Sequence, residues 1–352
     1  VVHSLWFFKE DYPELHVIAA GSLLEFVLKD LSSFGVGRVS SLFVYPMSFD
    51  EFLTATGQEG LLRTKRNSSP TNPLPEAFYN RLVEAFRSYM LVGGMPEAVA
   101  TYTETGSYRY SSDIVNEIIQ GYQDDFAKYG AKANPLLLRQ TLISVAHQAG
   151  AKFVYSRVEG QYRSAEVKVA LEMLKDAGLI IPTYHTDANG VPLGAEINER
   201  VVKYLIHDTG VLLGILGIDD DIDDSIKEMM VADSINLVDK GHVAEMMAGL
   251  ELIKYSSPQK RHQLYYWQNM NKGTCAEVDY VIARSGSIVP IEVKSGVKGS
   301  MSSMYSLMRN PQKHIEMGIR CSLENFGTFE SPDGKKIDII PLYAISNLFA
   351  EK

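Results

Sequence analysis

Near the C-terminal end, two runs alternate apolar and polar residues with a period of two. They are Glu277-Val278-Asp279-Tyr280-Val281-Ile282 and Ile288-Val289-Pro290-Ile291-Glu292-Val293-Lys294. Both read as strands, joined by the turn Arg284-Ser285-Gly286-Ser287. Val278, Tyr280 and Ile282 are expected on one face of the first strand, and Glu277 and Asp279 on the other. On the second, Val289, Ile291 and Val293 are expected to be buried, with Glu292 and Lys294 projecting from the opposite side. In register, the hairpin gathers two or three carboxylates and one amine on a single sheet face.

Upstream, the pattern predicts a helix-like opening, a buried strand over 16–20 ending in a small polar turn, and a strand over 42–45. A polar, linker-like loop is expected over 57–75. Helices follow over 76–91, 97–102 and 108–129, with a corner at Gly93-Gly94-Met95-Pro96. Helices over 135–149, 156–162 and 164–177 lead to strands over 179–184 and 203–208, the outline of a winged helix-turn-helix. Lys168 and Lys175 on its third helix are placed to meet nucleic acid, although such a unit equally packs against protein. The acidic run 219–224 lacks the central glycine and distal glutamate of a calcium loop and reads as a solvated helix cap. A helix bearing Glu245 and Glu251 comes next, then a strand over 264–267 opening the last sheet. After Lys294 the order is a helix over 300–317, strands over 320–323 and 337–342, and a closing turn over 346–350. Alternation of this kind builds a mixed sheet flanked by helices.

The converging acids carry the chemistry. Two carboxylates about 4 Å apart repel by roughly 4 kcal/mol at an effective dielectric near 20. A hard cation such as Mg²⁺ removes that repulsion and takes the oxygens as ligands. It can then acidify a bound water and take up charge at a phosphodiester, with Lys294 steering the water or stabilising the oxyanion. The alternative is an exposed hairpin with a solvated charged face.

Composition narrows the field. At 352 residues, two or three domains are expected, and 45% hydrophobic content suffices for packed cores. No apolar run is long enough to span a membrane, and the two cysteines, Cys275 and Cys321, fit a reducing cytoplasm. The eight histidines lack ligand spacing, which disfavours structural zinc. A net charge of −9 argues against a chain that coats DNA. Residues 257–321, however, hold nine Lys/Arg (Lys298 among them) against four acids, a basic collar suited to a polyanionic substrate.

Asp279, a twelve-residue spacer, then Glu292-Val-Lys294 resembles the core of the PD-(D/E)xK, or restriction-endonuclease-like, nuclease superfamily. That resemblance implies Asp279, Glu292 and Lys294 as catalytic residues and Glu245, on the preceding helix, as a further ligand to Mg²⁺. Glu251 follows on a different face of that helix, and the resemblance adds Gln312 and Lys313, on the helix after Glu-x-Lys, as assisting residues. The segments Ala20-Gly21-Ser22, Tyr45-Pro46-Met47-Ser48-Phe49, Gly93-Gly94-Met95-Pro96-Glu97 and His207-Asp208-Thr209-Gly210 resemble, in order, an archaeal-type AAA+ ATPase. From residue type alone, Ser22 is a turn serine and Arg38 a surface arginine. The resemblance makes Ser22 a γ-phosphate sensor and Arg38 a finger toward a neighbouring subunit. No G-x-x-x-x-G-K-[ST] loop occurs in the chain. The expectation is therefore a C-terminal fragment that binds ATP only together with the missing Walker motifs.

The fold expected is α/β multidomain. It comprises a truncated P-loop ATPase core (1–56), linker and helical lid (57–132), winged helix (133–218) and restriction-endonuclease-like domain (225–352). The function expected is metal-dependent hydrolysis of DNA, with possible homo-oligomerisation through the ATPase core. The alternative is a regulatory ATPase whose nuclease-like domain only binds nucleic acid or protein.

Overall fold

The computed structural model describes residues 4–21, 40–129, 134–217, 240–269, 276–296 and 299–349. Ser22, Arg38, Lys298 and the acidic run 219–224 lie outside the described residues.

The architecture is mixed α/β, with two mixed sheets among the described residues. In the first sheet, β1 (Ile180–Thr186) pairs antiparallel with β2 (Ile197–Ile206). On its other side β1 runs parallel to β3 (Leu264–Gln268), which pairs antiparallel with the short β4 (Glu277–Val278). The second sheet has the order β5 (Tyr280–Arg284), β6 (Ser287–Val293), β7 (Met317–Ser322), β9 (Lys336–Pro341) and β8 (Gly327–Glu330). Its β6–β7 and β7–β9 pairs are parallel. Strands β4 and β5 are separated by Asp279 alone, so the two sheets meet at that residue.

The expected hairpin is present. Tyr280 pairs with Ile291 and Arg284 with Ser287, while Ser285 (φ 50°) and Gly286 (φ 78°) make the two-residue turn. Positive φ at both central positions matches the right-handed strand twist. One detail differs. Val278 packs into the cluster of Trp267, Met304 and Ile337, whereas Tyr280 joins the larger core with Ile291 and Ile319. The chain bends at Asp279, so residues two apart no longer share a face. The sheet is covered on both sides, with Val281 and Ile288 buried opposite Tyr280 and Val289.

The helix Lys240–Lys254 is buried along nearly its whole circumference, with Met246, Met247, Leu250 and Leu252 all in the core. Such a helix lies between layers rather than on a surface. The larger cluster runs from Phe49 and Phe86 through Leu138 and Leu171 to Met246, Ile319 and Leu348. Three segments singled out in the sequence dock on one another here. Met47 N–H donates to Gly94 O (2.7 Å), and Gly94 N–H donates to Asp208 Oδ2 (2.7 Å). Asp208 Oδ1 also caps the helix Thr209–Ile215 by accepting from Val211 N–H (3.2 Å). A Cβ on Gly94 would lie 2.3 Å from Met47 O, and one on Gly93 (φ +78°) would lie 2.3 Å from Asp208 Oδ1. Close backbone contact therefore explains this glycine pair.

Several expectations are corrected. Residues 16–20 form no strand, and Ile18 is 94% exposed, because no described strand lies beside them. Residues 42–45 are likewise outside any sheet, although Phe43 N–H donates to Pro258 O (2.8 Å). The linker-like stretch contains the helix Glu59–Arg66, which buries Leu61, Leu62 and Lys65. The expected helix over 156–162 is only a 3₁₀ turn, Tyr155–Arg157. The wing hairpin is not free, since β3, expected to open the last sheet, extends the β1–β2 pair instead. The helix after Lys294 spans only Ser302–Arg309, and Pro311 starts a separate 3₁₀ turn. No described helix is long and apolar enough to cross a membrane.

Candidate functional site

The junction of the two sheets holds the acids. Asp279 Oδ2 accepts from Val293 N–H (2.7 Å), which ties the bend between β4 and β5 to the end of β6. Extending the β5–β6 register by one residue sets Asp279 opposite Glu292. Lys294 Nζ donates to Glu292 Oε1 (2.6 Å). The other oxygen, Glu292 Oε2, is buried and has no hydrogen-bond partner among the described residues. A buried acceptor left in this state costs on the order of 1–3 kcal/mol.

Glu245 reaches the junction from the buried helix, and its own carbonyl accepts from Tyr280 OH (2.8 Å). Its carboxylate partner was not foreseen in the sequence. Lys203, on β2, sends Nζ to Glu245 Oε1 (2.8 Å) and to Glu277 Oε1 (2.5 Å). Lys203 is only 1% exposed, and its ammonium lies 5.0 Å from the centre of the Tyr266 ring. It interrupts the apolar run Val201-Val202-Lys203-Tyr204-Leu205-Ile206, all of which is buried. A lysine inside a buried strand is affordable only opposite acids, and that is the signal the sequence offered.

Burial sets the protonation of these groups. Desolvation pushes the Glu292 carboxyl up to about 7, with the nearby Asp279 charge adding to the rise and Lys294 opposing it. Desolvation also raises Glu245 to about 8, against the pull of Lys203. Asp279 is raised by burial too, less the effect of the Val293 N–H bond. Lys203 is held above its ordinary value because Glu245 and Glu277 together outweigh its own burial.

Asp279, Glu292 and Lys294 are thus brought together, while Glu245 is engaged by Lys203. Among the described residues, no group of three or more His, Cys, Asp or Glu side chains could hold a metal ion. The fit to a divalent cation rests on the Asp279–Glu292 pair and the orphaned Glu292 Oε2. Mg²⁺ commonly uses only one or two carboxylates and fills its remaining positions with water and phosphate.

The other candidates go elsewhere. Glu251 accepts from Phe49 N–H (3.2 Å) and from Tyr89 OH (2.9 Å), and so anchors the start of the helix Phe49–Ala55. Lys313 donates to Asp187 O and to Asn189 Oδ1 (2.9 Å), away from the acids, and Gln312 is exposed. Lys168 is exposed on the helix Ser164–Asp176, and Lys175 pairs with Glu172 of the same helix.

Comparison with curated proteins and with solved structures gives no match. Two families of domains match parts of the chain. Residues 83–222 are similar to a domain of unknown function, DUF8612, and residues 240–345, which contain all four clustered acids, to another, DUF4143.

Proposed function

We propose that the junction is the active site of a metal-dependent phosphodiesterase acting on nucleic acid, DNA in the first instance. The observation that carries this reading is the Asp279–Glu292–Lys294 constellation, in which a buried Glu292 oxygen has no partner. Asp279 and Glu292 would hold Mg²⁺, which when bound supplies charge neutralisation and a more acidic water. Lys294 lies beside Glu292, and in this reading its ammonium would orient the attacking water and stabilise charge developing on the phosphate. The Val293 N–H bond fixes the Asp279 carboxylate, so little reorganisation is needed there. The excess of Lys and Arg over residues 257–321 would attract the polyanion, although Arg320 and Lys313 are buried and engaged elsewhere.

DUF4143 domains are common in AAA-ATPase-associated proteins, which supports reading the chain as part of such an assembly. ATP binding, the sensor role of Ser22, the finger role of Arg38 and oligomerisation through an ATPase core belong to that same proposal. A second reading is a nucleic-acid- or protein-binding domain without catalysis. It is favoured by Lys203 and Lys294, which already neutralise part of the acid cluster.

A supercoiled-plasmid nicking assay with Mg²⁺ or Mn²⁺ separates the two. Lys294→Ala should nick on the order of 10²–10³-fold more slowly than wild type. Equal nicking by both proteins would mean contamination, and none by either would favour the binding reading.

A further inference from the structure

We propose that the Lys203 ammonium is the resident cation of the Glu245–Glu277 half of the acid cluster, limiting the site to one divalent cation. The inference rests on the reading that Asp279 and Glu292 bind metal.

Lys203 Nζ lies 2.8 Å from one Glu245 oxygen and 2.5 Å from one Glu277 oxygen. The two carboxylates come from different elements, the buried helix and β4, and they converge on this one point. A cation held between two such oxygens would occupy the volume of the ammonium. Lys203 cannot readily vacate it, because the side chain is 1% exposed and runs through the buried stretch of β2 beside the Tyr266 ring.

Charge counting agrees. In the ion-bound state, with carboxyl protons displaced, Glu245, Glu277, Asp279 and Glu292 carry four negative charges, and Lys203 and Lys294 return two. One divalent ion brings this pocket to neutrality, whereas a second would leave it with two uncompensated positive charges in a poorly solvated place. Two-metal sites that clamp both the attacking and the leaving oxygen are a recognised design. Here a lysine fills one of the two places, and the chemistry is that of a single ion.

The lysine also comes from a different matched region of the chain. Lys203 falls within residues 83–222, while all four acids fall within residues 240–345. The metal stoichiometry of one region is therefore set by a side chain of the other.

The test is Mn²⁺ binding to the full chain, read as bound ions per protein by electron paramagnetic resonance and calorimetry. Wild type should bind one ion, and Asp279→Asn should lose it. Lys203→Arg, which keeps a cation in place, should bind one ion, and Lys203→Met should bind two. The second ion should disappear in Lys203→Met/Glu277→Gln. Two ions in wild type, or one in Lys203→Met, would overturn the inference while leaving the metal reading intact. No ion in wild type but one in Lys203→Met would sink the Asp279–Glu292 reading and uphold the role of Lys203. No ion in any variant would end both. Should Lys203→Met unfold without metal, Mn²⁺ should restore its circular dichroism spectrum, and failure to do so counts against the inference.

Discussion

The raised carboxyl of Glu292 should make the protein less stable as pH increases, in the metal-free state. In the folded chain this group titrates at about 7, against an ordinary 4.5, chiefly because burial disfavours its charge. A carboxyl with a raised folded value contributes stability that is fully present below its unfolded value and is lost as pH rises through the folded one. The window therefore runs from about pH 4.5 to just above pH 7. Each tenfold change in proton affinity is worth 1.36 kcal/mol, so the Glu292 contribution amounts to roughly 3 kcal/mol. Glu292→Gln keeps the shape and removes the charge. Urea unfolding of both proteins in EDTA, from pH 4.5 to pH 8.5, should give similar stabilities at the acid end. At the alkaline end the variant should be the more stable by roughly that amount. Millimolar Mg²⁺ should recover stability at pH 8.5 in wild type and not in Glu292→Gln. Parallel curves for the two proteins across the whole range would refute the reasoning, because they would mean that Glu292 is solvated rather than buried among acids.

Two other perturbations probe the frame that holds the site. Gly94→Ala places a Cβ 2.3 Å from Met47 O, so backbone must move at the meeting of three segments. A loss of roughly 1–3 kcal/mol is expected from denaturant melts, the usual cost of overpacking, and an unchanged midpoint would show that the segments part freely. Lys65→Met removes the fully buried partner of Asp50, whose carboxylate then keeps, among the described residues, an exposed Arg66 as its cation. Roughly 3–5 kcal/mol should be lost, and Lys65→Met/Asp50→Leu should recover much of it.

The hairpin was legible because every local signal agreed: period-two alternation, β-branched residues, and a Ser-Gly pair for the turn. The bend at Asp279 was not, because alternation continues through it and only the competing partners, β3 and β6, reveal it. Glu245 was found from its place on the helix before the hairpin, yet its partner was missed. Lys203 is 42 residues from Glu245 and 74 from Glu277, and spacing carries no information about such a meeting. The helix Glu59–Arg66 was hidden by its basic run, since Lys65 counts as polar in any pattern although it is buried against Asp50 and Ser346. Gly327–Glu330 is too short and too mixed in character to announce a strand, and β9 alone organises it.

Asp279 stands where one ladder ends and another begins. Both ladders feed a single apolar interior, Leu205 and Leu264 from the first and Ile291 and Ile319 from the second, so the corner that bears this carboxylate is braced from both sides. Moving Asp279 would mean shifting packed strands rather than swinging a loop.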